Sequence, residues 1–299
     1  NRHRPAALFG TLLEAVMAQA HRGLRRHMDG TTYLIDATSV RLSALSGRWA
    51  RFSATACGAK AHVVYDPDAD RPVYVAVTPA RVTDLTAAKA MPIEAGATYV
   101  FDLGYYDYGW WAELHAAGCR IVTRFKTNTP LTVAEERPVP PPTPDGGVIL
   151  SDRTGRLPER QASRRKNPFQ VREVRVRIET GTVLRILSND LEASARDIAD
   201  LYKRRWAIEL FFRWVKQTLD IRHFVGTSEN AVRLQIAVAL IAFVLLRLAQ
   251  ATQDAIKSPL AFARLVRTNL MHRRRIDQLL RPEARPRKRR ASGLQEAPA

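Results

Sequence analysis

Two aspartates follow apolar triplets: Asp36 after Tyr33-Leu34-Ile35, and Asp102 after Tyr99-Val100-Phe101. A carboxylate in such a place is poorly solvated and needs a partner. For either residue alone, a turn or cap role is the simpler account. Two of them at strand ends of one sheet could converge on a hard cation such as Mg²⁺, which takes oxygen ligands. A pair of such ions about 4 Å apart can activate water and stabilise a leaving oxygen in phosphoryl chemistry.

A third acid sits in a longer pattern. Tyr202, Arg205, Glu209 and Lys216 lie at offsets of 0, 3, 7 and 14 residues. At about 100° per residue the four share an arc of about 60° on a helix. Leu201, Ile208, Phe211, Val215 and Leu219 fall on the other side, where a core belongs. An i,i+4 surface ion pair explains Arg205 with Glu209 but not the whole row. An acid for a metal, with Arg and Lys at hand for phosphates, explains all of it. Trp206 could stack on a displaced base, although core packing is the favoured expectation. Arg213 falls near the same face and is a candidate phosphate contact.

The elements that must position these residues follow from periodicity and punctuation. Residues 8–28 read as an amphipathic helix ended by Asp29-Gly30. Strands are expected at 31–40, 59–65, 72–78, 97–102 and 120–125, with a turn at Asp66-Pro67-Asp68. Helices are expected at 83–91 and 106–117, which gives the order β-β-β-α-β-α-β, a mixed α/β layout. The Pro-rich stretch at 137–147 cannot be helix or central strand. Strands at 148–150, 170–178 and 183–188 make 127–192 a β-rich insertion. One long helix is expected over 191–220, then helices at 230–251 and 259–270. The apolar run Ile236–Leu246 is 11 residues long. A bilayer needs roughly 20, so the run reads as a buried helix of a soluble, cytoplasmic protein with no membrane partner.

Composition narrows the partner. The 299 residues are 46% hydrophobic and 25% charged, which excludes disorder throughout. Two cysteines, Cys57 and Cys119, exclude a disulfide framework and a Cys-rich zinc module. The net charge of +18 points to a polyanion, above all nucleic acid. Residues 264–290 contribute +9 and residues 151–177 contribute +6, the latter including Arg164-Arg165-Lys166 as possible DNA contacts. The seven histidines show no metal-ligand spacing. His62 could reach the acids, but a hydrogen-bonded structural role is the better expectation. Trp110-Trp111 are expected to pack the helix after Asp102.

The row Tyr202-x2-Arg205-x3-Glu209-x6-Lys216 resembles the YREK signature of the insertion-sequence-four family of bacterial DDE transposases. Ile35-Asp36-Ala37-Thr38 resembles the surroundings of that family's first acid, and Val100-Phe101-Asp102-Leu103-Gly104-Tyr105 those of its second. The segments Gly58–His62 and Phe224–Val232 are similar too, so the likeness covers roughly residues 30–250. It implies a ribonuclease-H-like α/β core, a mixed sheet with flanking helices, over 31–126 and 193–251. It also implies a β-rich insertion at 127–192, before the helix that carries the last acid. Residues 252–299 would then form a helical and basic C-terminal tail. Family members carry a helical DNA-binding region of many tens of residues before the first acid. Here 35 residues precede Asp36, so residues 1–30 are expected to be its remnant.

The resemblance implies cut-and-paste transposition. Asp36, Asp102 and Glu209 would be catalytic and hold two Mg²⁺ ions, with Mn²⁺ as a substitute, and should lie close to one common point. Tyr202, Arg205 and Lys216 would bind DNA phosphates. Partners would be double-stranded DNA, as inverted-repeat ends and target, and a second copy in a synaptic homodimer. A hairpin intermediate on the transposon end is implied as well, and the setting would be the nucleoid of a bacterial cytoplasm. The rival from another class is a catalytically inactive DNA-binding remnant, which the intact acid triad disfavours. A plain ribonuclease-H-type nuclease is a further rival, separated by strand transfer.

Overall fold

The computed structural model of the chain describes residues 4–24, 30–142, 147–158, 169–218, 223–269, 271 and 278. They fall into two compact units, residues 1–249 and 250–299. The strands of the first are β1 (Thr32–Leu42), β2 (Cys57–Asp66), β3 (Arg71–Pro79), β4 (Thr98–Val100), β5 (Arg120–Arg124), β6 (Thr132–Arg137), β7 (Val148–Arg156), β8 (Val171–Arg177) and β9 (Val183–Ser188). The helices are α1 (Ala6–Leu24), α2 (Gly47–Ala50), α3 (Asp84–Lys89), α4 (Tyr108–Ala116), α5 (Ala195–Arg204), α6 (Trp206–Thr218) and α7 (Glu229–Gln250). The second unit carries α8 (Pro259–Asn269), which buries Phe262 and Ala263.

All nine strands join in one mixed sheet, in the order β3-β2-β1-β4-β5-β9-β8-β7-β6. The β1–β4 and β4–β5 pairs are parallel, and the others are antiparallel. The expected order β-β-β-α-β-α-β is present from β1 to β5. The strands of the 127–192 segment do not stand apart. They continue the same sheet through the β5–β9 ladder, where Val122 pairs with Ser188 and Arg124 with Ile186.

The sheet has a core on each face, because side chains alternate along a strand. Leu34, Val40 and Leu42 of β1 and Val100 of β4 point into one core, with Ile198, Ile208, Phe211 and Val215 from α5 and α6. Tyr33 and Ile35 of β1, Tyr99 of β4 and the following Phe101 enter the other, under α3 and α4. There Trp110 and Trp111 are fully buried, with ring centroids 5.1 and 6.4 Å from Phe101. The alternation sends Asp36 and Asp102 to the face that α5 and α6 cover.

Three expectations need correction. The single helix over 191–220 is two helices that meet at Arg205. At that junction the backbone bonds tighten to i→i−3, from Arg205 N to Tyr202 O at 3.1 Å and from Ile208 N to Arg205 O at 3.2 Å. α5 starts at a capping box, in which the Ser194 hydroxyl accepts from Asp197 N and the Asp197 carboxylate from Ser194 N. β6 and the outer half of β7 are strands that the apolar pattern does not reveal. Finally, α7 is 22 residues long and meets the length and composition of a membrane span, which the 11-residue run did not. Its Val232, Ile236, Leu240, Phe243 and Val244 nevertheless pack into the core with Phe211 and Val215. Arg164, Arg165, Lys166 and most of residues 264–290 lie outside the described residues.

The second half of the sheet hides a charge pair. Arg172 of β8 and Asp152 of β7 are each 3% exposed, joined by bonds of 2.7 and 2.6 Å. Removing one partner leaves the other charge buried and unpaired. Asp152→Ala is therefore expected to cost about 3–5 kcal/mol in urea unfolding, whereas the joint change Asp152→Leu with Arg172→Met should cost far less.

Candidate active site

β1 is a central strand, hydrogen-bonded to β2 on one side and β4 on the other. Asp36 sits mid-strand, opposite Val63 of β2. Its Oδ1 accepts the Ala37 amide at 2.7 Å. Asp102 lies two residues past the end of β4 and caps the short turn Leu103–Tyr105, with Oδ1 accepting from Gly104 N at 2.8 Å. Glu209 lies in the first turn of α6, where the positive end of the helix favours an acid.

Arg205, at the junction of α5 and α6, ties two of these acids together. Its Nη2 lies 2.6 Å from Glu209 Oε1, and its Nη1 lies 3.9 Å from Asp36 Oδ2. The i,i+4 pair expected within the row is thus present, and it reaches across to the sheet. Burial works against the guanidinium's charge, but Tyr202, Glu209 and Asp36 outweigh it and hold Arg205 above its usual value. Burial pushes the Asp36 carboxyl up to about 6, opposed by the Ala37 amide. Asp102 and Glu209 add repulsion, and Arg205 again opposes. Both other acids are therefore within electrostatic reach of Asp36.

They do not close on one point. Among the described residues no three His, Cys, Asp or Glu side chains are near enough to hold a metal ion together. The Arg205 guanidinium instead contacts two of the three, Glu209 and Asp36. The donor set still fits a hard divalent cation. It offers carboxylate oxygens only, and a cation would favour the ionised form of Asp36 that burial, and after it the charges of Asp102 and Glu209, disfavour.

The other row members part company. Tyr202 is 7% exposed and belongs to the core, with Arg205 Cζ 5.7 Å from its ring centre. Burial raises its phenol, with Arg205 and Arg124 opposing. Trp206 is 56% exposed, against the core packing expected of it. It stands at a cavity of about 280 Å³ lined also by Lys203, Ala199, Leu184 and Ile178. Lys216 is half-buried and Arg213 exposed. His62 is buried, and its Nε2 meets Thr78 Oγ1 at 2.9 Å, as a structural histidine would. Burial lowers its basicity.

Sequence reasoning passed over Asp84. This residue opens α3 behind the N-cap Thr83, and its Oδ1 lies 2.9 Å from Lys60 Nζ and 3.7 Å from His62 Nδ1. Its only signal was the Thr-Asp pair at a helix start, which any capped helix shows.

Residues 27–245 match the family model described as Transposase DDE domain. The chain is 41% identical over 282 residues to the putative transposase y4zB of Sinorhizobium fredii (strain NBRC 101917 / NGR234), covering 94% of this chain and 78% of that one. It is 31% identical over 272 residues to the probable transposase for insertion sequence element IS5377 of Geobacillus stearothermophilus, covering 88% and 69%. Among solved structures, the piggyBac transposase synaptic complex with hairpin DNA is similar with a TM-score of 0.46 at 12% identity. That likeness covers 89% of this chain, which spans 61% of the piggyBac chain. The match over residues 27–245 and the two insertion-sequence relatives establish that the chain belongs to the DDE-domain transposase family.

Proposed function

We propose that the chain is the catalytic core of a cut-and-paste DNA transposase, ribonuclease-H-like across β1–β5 with β6–β9 as its insertion. The observation that carries this is the contact of Arg205 with both Glu209 and Asp36, at 2.6 and 3.9 Å, in the field of Asp102. Asp36, Asp102 and Glu209 would hold two Mg²⁺ ions, with Mn²⁺ as a substitute. When bound, the two ions supply an activated water to break a phosphodiester and charge to stabilise the departing 3′ oxygen.

The side chains do the rest. The Asp36 carboxyl keeps its proton below about pH 6 while no cation is present. Arg205, released from Glu209, and Lys216 neutralise phosphates of the bound end, and Tyr202, in the core, keeps its ring 5.7 Å from the Arg205 guanidinium. The exposed Trp206 offers a face for a displaced base, and Arg213 a further phosphate contact. The freed 3′-OH would attack the opposite strand, closing a hairpin on the transposon end and releasing the flanking DNA; water would reopen the hairpin, and the restored 3′-OH would then displace a 3′ oxygen from a target phosphodiester. The partners are duplex DNA, as transposon ends and as target, and a second copy in the synaptic complex, within the nucleoid of a bacterial cytoplasm.

Asp36→Ala, Asp102→Ala and Glu209→Ala are each expected to abolish Mg²⁺-dependent cleavage of end DNA while DNA binding survives. Pairs of these changes should cost no more than single ones, since the residues act as a unit. Near wild-type cleavage in one variant removes that residue from the site, and binding without cleavage by the wild-type chain marks a non-catalytic relative.

Arg205→Ala and Lys216→Ala should weaken binding to cleaved or hairpin ends more than to random duplex in a mobility-shift titration. Equal losses on both DNAs would reduce the two cations to general electrostatics.

The raised Asp36 carboxyl has a stability consequence. Between about pH 4 and pH 6 the folded chain binds a proton that the unfolded chain has released, so stability falls as pH rises through that window. Asp36→Asn is expected to stabilise the cation-free chain at pH 7.5, by on the order of 1–3 kcal/mol, and to change little at pH 3.5. Urea unfolding at the two pH values checks the sign.

A further inference from the structure

Behind the acids lies a polar group that the catalytic row does not use. Asp84 Oδ1 is engaged by Lys60 at 2.9 Å and faces His62 Nδ1 at 3.7 Å. Lys60 and His62 stand on β2 opposite Ser39 and Ala37 of β1, so the group backs directly onto the strand of Asp36. The other oxygen is turned toward the Asp102 loop. A Cβ at Gly104 would stand 3.8 Å from Asp84 Oδ2 and 3.0 Å from Asp102 Oδ1. Both carboxylates therefore face one small space that glycine keeps open.

Two buried polar atoms near it lack a hydrogen-bond partner. One is the hydroxyl of Tyr105, a residue 1% exposed, and the other is Nδ1 of His62, a residue 5% exposed. Tyr105, His62 and Asp84 line a common cavity of about 10 Å³, which is near the size of one water. The Tyr105 ring packs on Phe101 and Trp110, and that packing needs no hydroxyl. A buried hydroxyl without a partner is a cost to the fold. Burial first, and then the charges of Asp36, Asp84 and Asp102, disfavour its ionisation, so the hydroxyl lies in the field of all three acids.

We propose that Asp84 is a fourth acid of the site and a positioning residue. Its carboxylate, held by Lys60, and the Tyr105 hydroxyl fix the hydration shell of a divalent cation taken up by Asp36 and Asp102. This assignment rests on the metal-dependent function proposed above. Mg²⁺ and its substitutes keep several waters when bound. Groups that hold such a shell commonly change metal affinity 10–100-fold.

The test is a titration of the full cation-free chain with Mn²⁺ alone, with free Mn²⁺ read by electron paramagnetic resonance and melting measured without cation. Asp84→Asn is expected to bind Mn²⁺ about tenfold more weakly, and Asp84→Glu to recover most of the loss. Tyr105→Phe should also weaken binding, while its cation-free melting temperature stays level or rises because the unpaired hydroxyl is gone. A purely structural role would move melting and leave affinity alone. Wild-type affinity in both Asp84→Asn and Tyr105→Phe overturns the proposal. If Asp84→Asn does not fold, the affinity of Tyr105→Phe decides by itself. A wild-type chain that takes up no Mn²⁺ overturns the metal-dependent reading and this assignment with it, an outcome distinct from equal affinities.

Discussion

Carboxylates crowded into half-buried ground cannot all ionise without positive charge among them. In this chain the charge comes from Arg205, bonded to Glu209 and facing Asp36. The rest of the first unit can be understood as what brings that guanidinium to that place. β1 must be central, so that Asp36 is rigid and flanked on both sides. α5 and α6 must cross the face to which Asp36 points. Their junction must fall at Arg205, where the tightened turn changes the direction of the side chains that follow. Ile208, Phe211 and Val215 then lock α6 down, with Phe211 4.9 Å from both Tyr65 and Phe243.

The two faces of the sheet divide the labour. One core is largely aliphatic, with helices that carry catalytic candidates. The other is dense with Trp110, Trp111, Tyr105 and Phe101, and holds the loop of Asp102 rigid from below. Under the proposed function, exchange of the Arg205 contact for a cation would leave that floor undisturbed. The cost of rearrangement then falls on one long, flexible side chain and leaves the backbone in place.

Much of this was readable in the residues. The β1–β5 order and the helices around it follow from alternation and punctuation, and the Arg205–Glu209 pair follows from one spaced row. What escaped did so for physical reasons. β6 is exposed along nearly its whole length, so Thr132–Arg137 shows no apolar stripe. The middle of β7 is buried through Asp152 paired with Arg172, and a charge pair is invisible to a count of apolar residues. The break at Arg205 needs neither Pro nor Gly, so nothing in the row announces it. The partners of Asp84 come from another strand, and a sequence places Lys60 and His62 near it only once the register of β2 is known. Trp206 was misjudged because helical angle alone cannot say where a neighbouring sheet ends.

The narrow middle of the sheet has its own consequence. β1 meets β4, β4 meets β5 and β5 meets β9 through three residue pairs each, whereas β1–β2 and β7–β8 have nine and seven. The sheet is two broad wings on a slender spine, and Asp102 follows the spine strand β4. Everything beyond β9 hangs from Val122–Arg124 alone within the sheet. Such an attachment is modular in the evolutionary sense. Hairpins of the outer wing could be gained, lost or reshaped while the short spine and the acids beside it stay as they are.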